Sequence, residues 1–197
     1  RIFRAFGNGA RSAMNRHLAW LFLVAGLLGA SGGWLFNRML LTDVAAIERA
    51  YPGSPEELVG LQRPTFRLGS TDGSWVSASD FDGQVWLVNF WATWCEPCRA
   101  EMPMLDELHR ELGPEGFRVV GIALDDVQQA RDFVAGLGLT YTALVGMADV
   151  MEAGRLYGNA AGMLPYSVLI DRDGTVRWAR LGELSRQQVL EQVRPLL

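Results

Sequence analysis

The chain has 197 residues, of which 49% are hydrophobic, and a formal net charge of −4 at pH 7. This length and composition allow one folded domain with additional segments, and the sequence contains no low-complexity run or internal repeat. The charge is unevenly placed, because residues 1–38 contain five of the 18 basic residues and none of the 22 acidic ones. A basic start before an acidic remainder argues against nucleic-acid binding and indicates a membrane topology.

An uncharged stretch, residues 18–36, follows the basic N-terminal segment 1–17. As a helix it would be about 28 Å long, close to the roughly 30 Å thickness of the hydrocarbon core of a bilayer. Trp20 and Trp34 lie near its two ends, where interfacial aromatic residues are common. We therefore expect a single transmembrane anchor over residues 18–36.

The placement of the arginines predicts the orientation of this anchor. Four arginines precede the uncharged stretch, and Arg38 alone follows it closely. The positive-inside rule then predicts a single-pass protein of the cytoplasmic membrane, with its N-terminus in the cytoplasm and its main domain in the periplasm or another extracytoplasmic space. A cleaved signal peptide is the alternative, with an apolar core at 18–28 and small residues at 29–32. Both interpretations export the domain.

Residues 37–62 are interpreted as a membrane-proximal connector without identifiable chemistry. Residues 43–50 can form a short amphipathic helix, and the proline- and glycine-containing stretch 52–55 interrupts it. A new turn is expected to begin at Pro55, with Ser54 or a neighbour as its cap.

The remaining residues, 63–197, alternate strand and helix signals. A nearly continuous apolar run at 85–91 is typical of a strand buried on both faces. Pro103 lies inside the helix that follows this strand and is expected to kink it. The pattern predicts an α/β domain whose central mixed sheet is covered by helices on both faces. The predicted elements are a hairpin of strands 66–68 and 75–76, strands 85–91, 117–124, 141–145, 166–170 and 175–181, and helices 96–112, 125–135 (capped by Asp125 or Asp126), 150–157 and 185–193.

Both cysteines of the chain, Cys95 and Cys98, follow the strand at 85–91 and lie at the predicted start of a helix. A thiolate at a helix N-terminus is stabilised by the helix dipole and by unpaired backbone N–H groups, which lower the thiol pKa. A second thiol one turn further along the same face can attack the mixed disulfide that the first one forms. The pair therefore predicts thiol–disulfide exchange, with Cys95 as the nucleophile and Cys98 as the resolving thiol.

Three other uses of this cysteine pair are weaker interpretations. A zinc site needs two more Cys or His ligands, and the only histidines are His17 and His109, neither of them well placed to complete a tetrahedral site. A structural disulfide that closes a four-residue loop constrains the unfolded chain very little. A copper-handling role stays open as an alternative. We expect no bound metal and no cofactor.

Residues 89–103, NFWATWCEPCRAEMP, resemble the active-site segment of the TlpA/ResA-like membrane-anchored thioredoxin-fold thiol-disulfide oxidoreductases. The resemblance covers roughly residues 63–197. It implies a thioredoxin-like fold with a central mixed β-sheet flanked by helices, and an extra strand–helix insertion for which residues 125–157 leave room. Weaker matches to the family are residues 63–68 (RPTFRL), 80–83 (DFDG) and 164–174 (LPYSVLIDRDG).

The resemblance implies a role for Pro165, which lies just before the strand at 166–170. The matching proline of the family is cis and packs against the active-site disulfide. The backbone of the preceding residue, here Leu164, would pair with an extended substrate chain by strand addition. An ordinary loop proline is the alternative. We place Trp94 and Pro97 with Leu164 and Pro165 as substrate-binding residues, and Trp94 is either a flat rim for the partner or a packed core side chain.

Glu101 lies three residues after Cys98, and the resemblance implies that the matching glutamate relays the proton of the buried cysteine through a carboxyl of raised pKa. Asn89 occupies the strand position at which cytoplasmic thioredoxins have a buried aspartate, which leaves Glu101 as the nearest candidate acid/base. On spacing alone, a solvated helix glutamate is the alternative. Glu96, between the cysteines, is expected to be exposed and to oppose thiolate formation on Cys95.

From these residues and the resemblance, we expect a membrane-tethered reductase that acts on disulfides of exported proteins, as in cytochrome c biogenesis or metal-site assembly. Its expected partners are protein disulfide substrates and a membrane electron donor, and we expect a monomer. A disulfide oxidase or isomerase is the first alternative, because two cysteines do not determine the direction of electron flow. A copper-binding assembly factor and a redox-inert docking module are the others.

Overall fold

The computed structural model describes residues 53–197, so the predicted basic segment, anchor and amphipathic helix lie outside the described residues. Of the helices in this range, none combines the length and apolar character needed to span a bilayer. The strands are β1 (Arg67–Ser70), β2 (Trp75–Ser77), β3 (Val85–Trp91), β4 (Phe117–Leu124), β5 (Thr142–Gly146), β6 (Tyr166–Ile170) and β7 (Val176–Leu181). The α-helices are α1 (Pro55–Leu58), α2 (Glu96–Leu112), α3 (Val127–Leu137), α4 (Ala148–Leu156) and α5 (Arg186–Val193).

The strands form one seven-stranded sheet in the order β2-β1-β5-β4-β3-β6-β7. Strands β3, β4 and β5 are parallel neighbours, whereas the other pairings are antiparallel. The carboxyl ends of β3 and β4 therefore meet at the same edge of the sheet, at the point where each chain segment leaves for a helix. The predicted mixed sheet and thioredoxin-like α/β class are confirmed.

Helices cover both faces of the sheet and explain why β3 is buried along its whole length. On one face, alternate β3 side chains pack with apolar residues of α2 and α5. On the other face, the intervening side chains pack with α1 and α4. The first cluster includes Val85, Leu87, Trp91, Met102, Leu105 and Val189, and the second includes Trp86, Val88, Phe90, Leu58, Val150 and Ala153.

Helix α2 begins directly after the cysteine-containing turn. Cys95 is its N-cap, and Pro97 lies in the first turn, where a missing N–H leaves no intrahelical bond unmade. The helix continues through Pro103 to Leu112 as one element. Pro103 is exposed, so water can serve the carbonyl that the proline leaves without its intrahelical donor.

Helix boundaries differ from the predicted ones where capping residues decide them. Helix α3 extends to Leu137, two residues beyond the prediction, because Gly138 takes the left-handed conformation with φ of 64° and ends the helix. Asp126 is the N-cap of α3, and Asp125 makes different contacts, described below. Ser185 is the N-cap of α5, so that helix starts one residue later than predicted.

Gly121 on β4 provides a test of packing beside the cysteine-containing turn. A Cβ atom at this position would lie 2.9 Å from both Trp91 Nε1 and Tyr141 Cε2, which is closer than side-chain atoms tolerate. We expect Gly121→Ala to lower the free energy of unfolding by about 1–3 kcal/mol, because the two rings must move in a closely packed core. Urea denaturation of the oxidised protein measures this loss.

The matched control is Gly136, which is exposed inside α3. A Cβ atom added there would have no atom within 4 Å apart from those of its chain neighbours and of its own helix backbone. Gly136→Ala should raise the free energy of unfolding by about 0.5–1 kcal/mol, since alanine loses less conformational entropy in a helix. Equal effects of the two substitutions would contradict the packing argument at Gly121.

Candidate active site

The two cysteines form a disulfide at the N-terminus of α2, with their Cα atoms 5.3 Å apart. Cys95 Sγ accepts a hydrogen bond of 3.3 Å from the backbone N–H of Cys98, which is one of the donors left unpaired in the first turn of the helix. A thiolate on Cys95 would be stabilised at this position by the same N–H group and by the helix dipole. The strand–helix junction thus places the sulfur chemistry as the sequence predicted.

The two sulfur-bearing residues differ in exposure. Cys95 retains 6% of its surface, whereas Cys98 is completely buried, so only the first can be reached from outside. Trp94 is 68% exposed and lies beside Cys95, which excludes the alternative of a packed core tryptophan. Glu96 and Pro97, between the cysteines, are exposed as well. Cys95 is therefore bordered by exposed residues, one of which carries a large aromatic side chain.

The segment before β6 lies at the same edge of the sheet. The antiparallel register of β3 and β6 pairs Phe90 with Tyr166, so Pro165 is next to the end of β3 from which the cysteine turn departs. The Leu164–Pro165 peptide bond is cis, as the family resemblance implied. Pro165 is buried and Leu164 is half-buried against both core clusters.

Asn159 holds this segment in place and was not singled out from the sequence. Its Nδ2 donates to the carbonyl of Met163 at 2.8 Å, and its Oδ1 accepts from the N–H of Met163 at 3.0 Å. The side chain thereby satisfies both backbone groups of one loop residue. An asparagine followed by a methionine after three intervening loop residues is not a recognisable motif, so no local signal could have identified this clamp.

Glu101 is buried with 2% of its surface exposed, which excludes a solvated helix residue. Its Oε1 accepts from Asn89 Nδ2 at 2.7 Å, and its Oε2 accepts from the backbone N–H of Leu184 at 2.6 Å. Burial has the largest effect on the Glu101 carboxyl and raises its pKa from 4.5 to about 7. The hydrogen bonds from Leu184 and Asn89 act in the opposite sense, because they stabilise the ionised form, whereas the charge of Glu183 adds to the rise.

Asn89 connects Glu101 to a third buried polar side chain. Its Nδ2 also donates to Ser167 Oγ on β6 at 2.9 Å, and both Asn89 and Ser167 have no exposed surface. The Asn89 amide, in the middle of the buried strand β3, is therefore hydrogen-bonded to one side chain on the neighbouring strand β6 and to one on α2. Ser167 and Leu184 are site residues that sequence reasoning missed.

Asp125 is a further missed residue, and it supports the cysteine turn directly. Its Oδ2 accepts from both the backbone N–H and the hydroxyl of Thr93, each at 2.7 Å, while its Oδ1 accepts from the N–H of Asp126 at 2.9 Å. Thr93 stands two residues before Cys95, so the carboxylate holds the backbone that leads into the cysteine-containing turn. The parallel pairing of β3 and β4 is the signal that could have found this contact, since it brings the two strand ends together.

Potential metal ligands are not clustered in the part of the chain that the structure describes. No three His, Cys, Asp or Glu side chains within residues 53–197 are grouped so that they could hold a metal ion. His109 is engaged elsewhere, because its Nδ1 accepts from the N–H of Val119 at 3.1 Å. Burial, together with the charge of Arg118, also lowers the pKa of this imidazole. The other histidine, His17, lies outside the described residues.

Known proteins that are similar to this chain include thiol-disulfide oxidoreductases. A family model for the AhpC/TSA family matches residues 59–179. The thiol-disulfide oxidoreductase ResA of Bacillus thuringiensis (strain Al Hakam) is 31% identical over 132 residues, which cover 66% of this chain and 74% of ResA. The thiol:disulfide interchange protein HelX of Rhodobacter capsulatus is 31% identical over 180 residues, 90% of this chain and 92% of HelX.

A solved structure shows the same fold. The secreted thiol-disulfide isomerase of Corynebacterium glutamicum superposes with a TM-score of 0.63 at 32% identity, covering 68% of this chain and 84% of that protein. The two relatives and the Corynebacterium glutamicum protein are named for thiol-disulfide chemistry, for which the Cys95–Cys98 disulfide of this chain is suited. The chain belongs to the AhpC/TSA family and is a thioredoxin-fold thiol-disulfide oxidoreductase similar to ResA and HelX.

Proposed function

We propose that the protein is a membrane-tethered reductase of disulfides in exported proteins, of the kind needed for cytochrome c maturation or metal-site assembly. The observation that carries this proposal is the disulfide at the α2 N-terminus, with Cys95 reachable beside the exposed Trp94 and Cys98 buried behind it. This geometry suits a partner that presents its own disulfide on a surface or an extended segment, rather than a small molecule that needs a deep pocket.

The proposed reaction has two exchange steps. The Cys95 thiolate attacks one sulfur of the partner disulfide, so that a Cys95–partner bond forms, the partner bond breaks and the other partner sulfur leaves as a thiolate. Cys98 then attacks Cys95 Sγ, which releases the second partner thiol and leaves the Cys95–Cys98 disulfide. Two electrons pass to the partner in the complete reaction.

Glu101 is proposed to take the proton of Cys98 in the second step. Cys98 and Glu101 are three residues apart on the same buried face of α2, and both are shielded from bulk water. A buried thiol needs a nearby base because its thiolate is costly without one. A carboxyl whose pKa is raised to about 7 can both accept and return a proton at neutral pH.

The direction of the reaction is proposed from charge. Glu96 is exposed between the two cysteines, and its carboxylate opposes a thiolate on Cys95. Destabilising the thiolate destabilises the reduced protein and so makes it a stronger reductant. An oxidase, by contrast, needs a strongly stabilised thiolate.

The partner is proposed to dock on Trp94 and on the segment before β6. Trp94 is exposed, Met163 is 51% exposed, and Leu164 lies half-buried at the cis peptide bond. An extended partner segment can pair with the backbone of Leu164 by strand addition while Pro97 and Trp94 contact its side chains. These contacts bring the partner's disulfide to Cys95.

Location and electron supply are proposed from the sequence. The arginine distribution around residues 18–36 supports a single anchor with the catalytic domain in the periplasm or another extracytoplasmic space. A reductase in an oxidising compartment must be reduced again after each turnover. We therefore propose a membrane electron donor that returns two electrons to the Cys95–Cys98 disulfide.

Measurement of the reduction potential tests the direction. Equilibration of the full chain with dithiol buffers, followed by alkylation, should give a potential near that of thioredoxin, about −270 mV. Glu96→Gln should raise it by about 5–20 mV, because exposed charges interact by about 0.2–1 kcal/mol and 30 mV corresponds to about 1.4 kcal/mol. Glu115→Gln, also at an exposed position, is the matched control and should leave the potential unchanged. A potential near −120 mV would identify an oxidase, and stoichiometric copper in the purified chain would favour an assembly factor.

Trapping in cells tests the partners and the roles of the cysteines. Cys98→Ser removes the resolving thiol, so Cys95 should stay bonded to exported proteins in mixed disulfides that sediment with membranes. Diagonal reducing electrophoresis of the membrane fraction displays them. Cys95→Ser is the control and should trap few partners; more efficient trapping by this variant would reverse the assignment of attack and resolution. A soluble mature chain beginning near Gly32 or Gly33 would show a cleaved signal peptide.

Glu101→Gln tests the buried carboxyl through stability and rate. The raised pKa means that the oxidised folded protein is favoured when Glu101 is protonated, so this contribution is fully present below pH 4.5 and is lost as the pH rises through about 7. When the pH rises from 4.5 to 8, the free energy of unfolding of the wild type should therefore fall. Its fall should exceed that of the Glu101→Gln variant by about 2–3 kcal/mol. Urea denaturation at the two pH values measures the difference.

The same variant should slow reduction of a partner disulfide by up to about 10²-fold, the usual contribution of one general acid/base. Glu107→Gln on the exposed side of α2 is the matched control and should change neither quantity. Identical pH profiles of wild type and Glu101→Gln would contradict the proton-relay role.

A further inference from the structure

Three buried polar side chains meet between α2, β3 and β6. The amide of Asn89 donates through both of its Nδ2 hydrogens, to Glu101 Oε1 at 2.7 Å and to Ser167 Oγ at 2.9 Å. Glu101 is 2% exposed, and the other two side chains have no exposed surface. Hydrogen bonds enclosed in this way cannot be replaced by bulk water when one member changes its protonation state.

Both partners of the amide can reverse their hydrogen-bonding roles. A carboxyl accepts when it is ionised and donates through its O–H when it is protonated, and a serine hydroxyl can do either. If the Asn89 side chain turns by half a rotation about its terminal torsion, Oδ1 takes the place of Nδ2. The O–H of protonated Glu101 and the O–H of Ser167 can then both donate to this oxygen, which has two lone pairs.

The outward side of the amide permits this rotation. Asn89 Oδ1 is buried and has no hydrogen-bond partner among the described residues of the protein. A partner at this atom would tie the amide to one orientation, as Met163 ties Asn159. Among the described residues, the hydrogen-bond partners that orient the Asn89 amide are therefore Glu101 and Ser167. Because the outward Oδ1 is unpaired in the observed orientation, turning the amide breaks no hydrogen bond on that side.

We propose that Asn89 is a positioning residue whose amide turns over each time Glu101 gains or loses a proton, with Ser167 reversing its hydroxyl in concert. The inference rests on the proton-relay role of Glu101 in the proposed function. The rotation itself transfers no proton, since the proton comes from the Cys98 thiol during resolution of the mixed disulfide. It gives the buried carboxyl a donor when ionised and an acceptor when protonated, so neither state leaves a polar atom of Glu101 unpaired.

Other charged and titratable groups surround Glu101 but do not replace the amide. The N–H of Leu184 can only donate, so it serves Oε2 in both states. Glu183 is exposed and acts on the carboxyl through its charge. Burial has the largest effect on the pKa of Tyr141 and raises it, and the charges of Asp106 and Glu101 add to the rise. Cys98 precedes Glu101 by three residues and, like it, is buried on α2. Within the described residues, Asn89 is the partner of Glu101 that can switch from donor to acceptor.

Nuclear magnetic resonance of the oxidised full chain between pH 5 and 9 tests the proposal. The Cδ shift of Glu101 reports its ionisation, and cross-peaks from the Asn89 Hδ2 protons to the Ser167 β-protons report the orientation of the amide. At pH 9 we expect these cross-peaks to be present, and at pH 5 we expect them to be lost. The midpoint of this change should coincide with that of Glu101.

Asn159 is the internal control in the same spectra, because its amide is bonded on both sides to Met163 and cannot turn over. Its cross-peaks should be the same at every pH. In Glu101→Gln the Asn89 cross-peaks should also become independent of pH.

Two failures can be told apart. Unchanged Asn89 cross-peaks while Glu101 titrates would show a fixed amide and would overturn this inference without touching the relay. A Glu101 Cδ shift that does not change between pH 5 and 9 would overturn the relay and the turning amide together. Cross-peaks that still vary with pH in Glu101→Gln would show that another group turns the amide, and would also overturn the inference.

Discussion

Strand β3 is buried on both faces of the sheet, and the site depends on this constraint because the strand ends where α2 begins. Because helices pack on both faces of β3, the direction of its carboxyl end is fixed. Cys95 is therefore held in a defined position at the N-terminus of α2. Asp125 strengthens the junction by holding Thr93 from the neighbouring parallel strand. The polar Asn89 is tolerated inside β3 because Glu101 and Ser167 pair with its amide.

Two glutamates five residues apart illustrate how environment assigns function to identical side chains. Glu96 is exposed to solvent at the start of α2, directly after Cys95. Glu101 lies one and a half turns further on the buried face, where removal from water raises its pKa to about 7. The first is suited to setting the stability of the reduced protein, and the second to moving a proton. Neither role depends on the residue type alone.

Much of the fold could be predicted from the sequence, because the apolar run of β3 and the capping residues of the helices are local signals. The cysteine pair was recognised from its position at the strand–helix junction, and the family resemblance pointed to Glu101 and to the cis peptide bond before Pro165. The partners that define the site could not be predicted in this way. Leu184 lies 83 residues from Glu101, and Ser167 lies 78 residues from Asn89. Such pairs are brought together by the strand order, which is decided by packing of the whole sheet rather than by any local pattern. The sequence predicted that either Asp125 or Asp126 caps α3. Asp126 is the cap, whereas Asp125 accepts hydrogen bonds from Thr93.

The clamp between Asn159 and Met163 limits how the segment before β6 can pair with another chain. Both backbone groups of Met163 are engaged by the amide, Pro165 has no N–H, and the carbonyl of Pro165 accepts from Gly182 at 2.9 Å. Leu164 is therefore the residue of this segment left to pair with an incoming chain. A main-chain contact of one residue can position an extended segment but does not select its side chains. Any selection among partner segments would therefore come from the side chains exposed around Cys95, such as that of Trp94.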